Sequence, residues 1–347
     1  MRTYQQLPKK IKCPVCYAED AHILWVADSN QAAQHYVLKE KFPERFLELA
    51  SHIKTLWGGD TCEIVQCKNC EYCYSNPFIA GDERFYTLAY DRSSYPKWKW
   101  EFQVTLDVLK RNAGADTSLF EIGAGDGAFV KRVAENILPK GNILCTEFSE
   151  YGRLSIEEFG IKCISEDFRN LSSAELNESL DVVCMFQVLE HLDRLDVLFQ
   201  KLNWLMKNGG RLFIAVPNAG RIEFNELNGA LLDMPPNHVG RWNKKCFEII
   251  GKRNGFLIED YQIEEAGFIS LAKEFIFYRL LQHAQKSGSF ENRLLKVKNR
   301  YLSRIMLMVC FAVNAAMAIP ALAKKDSRQG GSQWIYFVKA HGPSPEN

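Results

Sequence analysis

Short apolar runs separated by helically spaced segments dominate the middle of the chain. Ser118-Leu119-Phe120 leads into Glu121-Ile122-Gly123-Ala124-Gly125-Asp126-Gly127, after which Phe129, Val130, Val133 and Ala134 recur at the spacing of a helix face. Further strands are predicted at Asn142–Glu147, at Leu180–Phe186 and, beyond the turn Asn208-Gly209-Gly210, at Arg211–Asn218. Phe256–Ile263 and Gln333–Lys339 read as two late strands. Ala32–Trp57 reads as one helix whose apolar face holds Phe42, Phe46, Leu49, Ile53 and Leu56, and Leu271–His283 as an amphipathic helix.

A glycine-rich turn from strand to helix lets backbone approach a ligand closely and turns helix N–H groups toward its anionic end. Gly123, Gly125 and Ala128 also satisfy the relaxed dinucleotide pattern, so two cofactor codes overlap here. Glu121 before the first glycine, a third glycine at 127, and Glu147 closing the next strand separate them. Together with Ser165-Glu166-Asp167-Phe168, Gln187-Val188-Leu189-Glu190-His191-Leu192 and the strands around them, this order resembles the class I S-adenosylmethionine-dependent methyltransferases. The resemblance covers roughly the middle third of the chain. It implies an α/β fold, Rossmann-like, with a seven-stranded, mainly parallel sheet and an antiparallel last strand.

For the cofactor, the resemblance implies that Gly123, Gly125 and Gly127 admit the methionine end, with Glu121 in the same set. Glu147 would accept from both ribose hydroxyls, Asp167 would face the adenine amino group with Phe168 beside the ring, and Gln187 would lie near the sulfonium. A carboxylate at 147 also disfavours a 2′-phosphate, which argues against NADP. The competing reading of Asp167 and Phe168 is an ordinary strand-end turn, and of the glycines a tight turn without ligand.

With 347 residues the chain has room for more than one domain, and a net charge of +1 gives no broad electrostatic footprint for nucleic acid. No leader pattern follows Met1, so the expectation is a cytoplasmic protein whose eleven cysteines are reduced. Cys13-Pro14-Val15-Cys16 and Cys67-Lys68-Asn69-Cys70 then read as two knuckles supplying four thiolates to a structural zinc. Tyr17 and Glu71 stand where such knuckles usually carry glycine, and Cys62 and Cys73 are competing ligands. Buried apolar cysteines at accidental spacing are the alternative.

Paired knuckles ahead of such a domain resemble a bacterial subgroup that includes sugar C-methyltransferases. The implied organisation is a zinc-binding module with a helical insertion over 1–80, an aromatic-rich linker and first helix over 81–112, and a methyltransferase domain over 113–347. A sugar or glycan precursor is the acceptor class this suggests, with methylation at oxygen and a C-methyltransferase as the alternative. The rivals are a NAD-dependent sugar dehydrogenase or epimerase and a non-catalytic scaffold. No nucleic acid is expected as a partner.

A hydroxyl acceptor benefits from a general base, and histidine suits that role. His191 follows the strand at 180–186, and His238 lies in the loop Asp233–Trp242 after the strand at 211–218, where it is free to reach a substrate. Gln187-x-x-Glu190-His191 is similar to a divalent-metal motif of some methyltransferases, but Gln187 replaces its first acid and disfavours a metal. Tyr86, Tyr90, Tyr95 and Trp98 could stack on a sugar or face the sulfonium, with core packing as the alternative.

Residues 305–323 hold no charge and are long enough to span a membrane, bracketed by Arg304 and by Lys324-Lys325. Lying between two strands of one sheet, they read instead as part of a helical insertion at about 269–326. That insertion is expected to shape the acceptor pocket, pair two copies as a homodimer, or touch the inner membrane face peripherally through 304–325. Core packing is the plainer reading.

Overall fold

The computed structural model describes residues 7–39, 41–90, 98–228, 235–286, 288–294, 308–314, 316 and 329–340. Tyr95, Asp233, Met234, Arg304, Lys324, Lys325 and most of 305–323 therefore lie outside the described residues.

The chain opens with strands β1 (Leu7–Lys10) and β2 (Asp20–Asp28), helices α1 (Ser29–Tyr36) and α2 (Pro43–Trp57), and strands β3 (Thr61–Cys67) and β4 (Cys73–Asn76). The single helix expected over Ala32–Trp57 is thus two. Asp28 caps α1, its carboxylate accepting from the Gln31 N–H at 2.9 Å. Pro43, with no N–H and a ring that pushes Phe42 out of helical backbone, forces α2 to start afresh. Phe46, Leu49, Ala50, Ile53 and Trp57 form its buried stripe, so Trp57 takes the inward place expected for Leu56, and Phe42 becomes a half-exposed N-cap.

After α3 (Glu83–Ala89) and α4 (Trp100–Asn112) come β5 (Leu119–Ile122), α5 (Ala128–Asn136), β6 (Ile143–Thr146), α6 (Glu150–Phe159) and β7 (Lys162–Ile164). Next are β8 (Leu180–Phe186), α7 (Leu195–Leu205), β9 (Met206–Pro217), α8 (Ala219–Leu227), β10 (Gly240–Arg241) and α9 (Lys244–Arg253). The last elements are β11 (Phe256–Glu265), α10 (Phe268–Gln285), α11 (Phe290–Leu294) and β12 (Gln329–Lys339).

Seven strands form one sheet in the order β11-β12-β9-β8-β5-β6-β7, mostly parallel with antiparallel last strands, as the resemblance implied. Its central strands alternate strictly between two cores. Phe120, Val183, Met185, Leu212 and Ile214 face one side, and Leu119, Val182, Cys184, Phe213 and Ala215 the other. Burial on both faces explains why these strands read as unbroken apolar runs. β5 pairs with β6 on one side and β8 on the other, so the chain reverses its order of strand addition beside β5. Ligands of open α/β sheets bind at such a point, beyond the carboxyl ends of the strands.

Two compact units divide the chain differently from the sequence expectation. One comprises 4–216, 234–262 and 332–347, the other 1–3, 217–233 and 263–331. The first includes the segments expected as a separate module and linker, because Cys13, Val15, Val65 and Tyr72 join the same core as Phe120 and Val183. β10 also adds to the antiparallel sheet, Gly240 pairing with Tyr74 and Arg241 with Cys73. In the second unit the helical insertion starts earlier than 269 and includes α8, whose Arg221 and Asn225 donate to Glu274 of α10 at 2.7 and 2.6 Å. Among the described residues no helix is long and apolar enough to cross a membrane.

Candidate active site

The turn after β5 carries Gly123, Gly125 and Gly127 at φ of 71, 59 and 82°, a left-handed backbone that favours glycine. A Cβ on Gly123 would stand 2.7 Å from Val188, and one on Gly127 2.6 Å from Ile156, so both conformation and space demand the missing side chain. Three amides of the turn are tied to the end of β6. Gly123 donates to the Thr146 hydroxyl at 3.3 Å, Ala124 to the Thr146 carbonyl at 2.9 Å, and Gly125 to the Glu147 carboxylate at 2.9 Å.

Glu147 also accepts from the Ser149 N–H at 2.8 Å, which fixes its carboxylate between the glycine turn and the start of α6. α6 reaches that position because Gly152 has no side chain. A Cβ there would lie 2.3 Å from the Gly125 carbonyl oxygen and 2.9 Å from Cγ of Glu147. Sequence reading passed over Gly152, since its partners lie 27 and 5 residues away and no local turn signal marks it.

Asp167 and Phe168 also stand at this edge, after β7. The Asp167 carboxylate is gripped by Arg169 at 2.6 Å. Burial alone would raise its pKa, but the hydrogen bonds and charge of Arg169 outweigh burial and hold the carboxyl below its usual value. Phe168 is buried in the core that also holds Leu171 and Met185. Gln187, beyond β8, has φ of 59° without being glycine, a strained backbone of the kind that gathers at functional sites. Its amide nitrogen donates to Glu101 at 3.1 Å and to Ser332 at 3.2 Å.

Glu121 lies on β5 itself and is 2 % exposed. Its Oε2 has no hydrogen-bond partner among the described residues. Desolvation dominates, with Glu147 adding repulsion and Lys99 only partly opposing both, so its pKa is pushed well above the ordinary 4.5. The native state then holds a proton that the unfolded chain gives up. Its stabilising contribution is complete below pH 4.5 and is lost as pH rises toward the folded pKa. Without ligand, Glu121→Gln should flatten the pH dependence and raise the Tm at pH 8 by a few degrees, the scale on which about 1 kcal/mol moves a domain of this size. A thermal melt series at pH 5 to 8 checks this, and parallel curves for the two proteins would contradict it.

A second cluster gathers Glu190, His191 and His238, whose ligand-type atoms all lie within 4.8 Å of one another. Gln187, the first residue of the spaced metal motif weighed in the sequence, directs its amide nitrogen to Glu101 and Ser332. The His191 and His238 rings are 4.5 Å apart. His191 Nδ1 lies 3.0 Å from the Asn237 carbonyl, which can only accept, so Nδ1 carries the proton and Nε2 is the basic nitrogen. Nε2 stands 3.9 Å from the buried carboxylate of Glu190. Tyr86 places its hydroxyl 3.2 Å from the same Nδ1 and stacks on Tyr90. Burial pushes the Tyr86 phenol pKa up, keeping it neutral. Trp98 instead packs on Phe102 with Arg132 over its face.

The four knuckle cysteines converge. Cys13 and Cys70 sulfurs are 3.5 Å apart, as are those of Cys16 and Cys67, and all four lie within 4.8 Å of one another. Four thiolates around zinc at about 2.3 Å stand about 3.8 Å apart, so the set fits a tetrahedral ion. Cys62 and Cys73 are outside it. Both knuckles make the same turn, Tyr17 donating to the Cys13 carbonyl and Glu71 to the Cys67 carbonyl, each at 2.9 Å. Tyr17 and Glu71 adopt φ of 63 and 62°, the conformation glycine would supply. At Tyr17 the strained turn is braced by the Arg253 guanidinium, 3.6 Å from the ring centroid, and by a 2.5 Å hydrogen bond from its hydroxyl to Asp196.

Comparison with known proteins bears on this geometry. The family described as a methyltransferase domain matches residues 120–212, from β5 into β9. Residues 120–212 are thus similar to a methyltransferase domain. No curated protein matches it at a significant level. Among solved structures, an S-adenosylmethionine-dependent methyltransferase from Archaeoglobus fulgidus is 17 % identical, aligned over 69 % of this chain and 94 % of that one, with a TM-score of 0.43. Phosphoethanolamine N-methyltransferase 2 from Haemonchus contortus, in complex with phosphomonomethylethanolamine and S-adenosylhomocysteine, is 17 % identical over 71 % of this chain and 56 % of that one, with a TM-score of 0.40. The matched span holds Glu121, the three glycines, Glu147, Asp167, Phe168, Gln187 and His191, while His238 and the thiol cluster lie outside it.

Proposed function

We propose that the chain transfers a methyl group from S-adenosylmethionine to a hydroxyl of a small molecule, a sugar or glycan precursor, and holds a structural zinc on Cys13, Cys16, Cys67 and Cys70. The observation that carries the cofactor reading is the bond from the Gly125 amide to the Glu147 carboxylate at 2.9 Å, which builds the glycine cradle and the diol acceptor as one piece. S-adenosylmethionine supplies a sulfonium-activated methyl group. The protein's part is then to align the acceptor and receive its proton.

His191 and His238 are suited to that proton. Nε2 of His191 is the basic nitrogen, and the Glu190 carboxylate beside it offsets the positive charge of an imidazolium. His238, in ring contact with His191, is the proposed base or acceptor contact. The sugar class is supported by the resemblance of the paired-knuckle organisation to sugar methyltransferases. The same base would also take a proton from carbon beside a keto group, and the methylated product separates O- from C-transfer.

Heat unfolding tests the cofactor. S-adenosylmethionine at about 100 times its Kd should stabilise the protein by about 2.7 kcal/mol, and NAD should not. Protection by NAD alone would instead support the dehydrogenase or epimerase reading. Mass spectrometry of a cell extract incubated with protein and S-adenosylmethionine would then identify the acceptor by its added methyl group.

A further inference from the structure

Glu101, in the first turn of α4, is only 2 % exposed, although an apolar side chain would fill the same place without a charge. Burying a carboxylate is costly unless hydrogen bonds offset it. Its partner is the side-chain amide of Gln187, which donates at 3.1 Å, and the same amide nitrogen donates to the Ser332 hydroxyl at 3.2 Å. β12 holds α4 against this point. Trp334 Nε1 donates to the Thr105 hydroxyl at 2.8 Å, and that hydroxyl donates to the Glu101 carbonyl at 2.8 Å. Two elements remote in sequence thus fix one amide.

The two acceptors are not equivalent. A hydroxyl donates or accepts by turning its proton, so Ser332 would hold either end of the amide, whereas a carboxylate only accepts. Glu101 therefore decides that the nitrogen faces α4. The carbonyl oxygen of Gln187 occupies the other branch of the amide, where no described residue donates to it. Met185 pairs with Ile122, and a Cβ on Gly123 would stand 2.7 Å from Val188, so Gln187 lies beside the glycine turn at the carboxyl end of β8.

We infer that Glu101 is a positioning residue that fixes the Gln187 carbonyl oxygen toward the sulfonium of S-adenosylmethionine, and so lets the protein distinguish the cationic methyl donor from the neutral thioether left after transfer. The inference rests on the proposed cofactor reading. An amide oxygen is the negative end of its dipole, which attracts a sulfonium and its polarised methyl hydrogens. During transfer the acceptor's electron pair forms the new bond to the methyl carbon, while the carbon–sulfur pair stays on sulfur. The positive charge disappears, the attraction lapses with it, and S-adenosylhomocysteine leaves more readily than S-adenosylmethionine.

The test is calorimetric titration of the full-length protein with S-adenosylmethionine and, separately, with S-adenosylhomocysteine, which needs no acceptor. In Glu101→Gln, position 101 donates as readily as it accepts, and Gln187 is free to turn its nitrogen to the ligand. S-adenosylmethionine affinity should fall about tenfold, the scale of a lost polar contact to a charged group, while S-adenosylhomocysteine affinity stays within about twofold. Ser332→Ala keeps the carboxylate that orients the amide, and should retain the wild-type ratio of the two affinities. Should Glu101→Gln not fold, Glu101→Leu combined with Gln187→Leu removes acid and amide together, leaves neither unpaired, and should lose the same ratio. Equal losses for both ligands, or a ratio that Ser332→Ala lowers as far as Glu101→Gln does, would overturn the orienting role of Glu101. Wild-type protein that binds neither ligand would overturn the cofactor reading itself, and the inference with it.

Discussion

Gly152→Ala is expected to lower S-adenosylmethionine affinity by about 5- to 150-fold, the range that about 1–3 kcal/mol of overpacking produces. The added methyl group would sit 2.3 Å from the Gly125 carbonyl oxygen, 2.8 Å from the Ser149 hydroxyl oxygen and 2.9 Å from Cγ of Glu147. Two of these belong to the proposed cofactor cradle, and the first is backbone that cannot swing aside. Either α6 backs away and takes the Ser149 amide from Glu147, or the glycine turn shifts and Gly125 loses its hold on the same carboxylate. Both routes dismantle the proposed diol acceptor. Gly141→Ala is the control, since a Cβ there meets nothing within 4 Å. Isothermal titration with S-adenosylmethionine gives the readout, and equal affinities for wild type and Gly152→Ala would separate α6 packing from cofactor binding.

Gly152 also marks a boundary of what the sequence discloses. The seven-stranded sheet was legible because each central strand is apolar on both faces and each ends in a polar turn, information contained within a dozen residues. The glycine turn at Gly123, Gly125 and Gly127 was legible for the same reason. What the sequence concealed depends on approach between distant segments: Gly152 against Gly125, Tyr86 against His191, and β10 completing a sheet whose other strands end at Asn76. The apolar face expected across Ala32–Trp57 was misread at Phe42, because helical spacing continues through that region while Pro43 interrupts the backbone that would realise it. Asp167 shows the opposite limit. Its place after β7 was legible, but its bidentate grip by a residue two positions on is a matter of side-chain geometry that spacing does not report.

The thiol cluster is expected to matter for turnover although it lies outside the cofactor cradle. Cys70→Ser should release the metal and lower turnover at least about tenfold, while S-adenosylmethionine affinity stays within about threefold. The connection runs through backbone. The Cys70 carbonyl accepts from the Cys246 thiol at 3.3 Å, Tyr72 packs on Trp242 at 4.9 Å, and β4 pairs with β10. Ser75 donates to the Val239 carbonyl at 3.0 Å, and Val239 donates to the Glu190 carbonyl at 2.9 Å. His238 thus follows Asn237, whose carbonyl meets His191, and precedes a residue clamped between the thiol-bearing sheet and Glu190. Loss of the proposed zinc would loosen that clamp and let the two imidazoles part. His238→Gln provides the comparison: turnover should fall about 100-fold or more, as expected for a lost general base, with metal content and cofactor affinity retained. Should Cys70→Ser fail to bind S-adenosylmethionine at all, the half-exposed ligand Cys16 offers a milder replacement by serine. Metal analysis and turnover measured on all three variants decide the matter, and full turnover in a metal-free protein would show that the cluster supports only its own sheet.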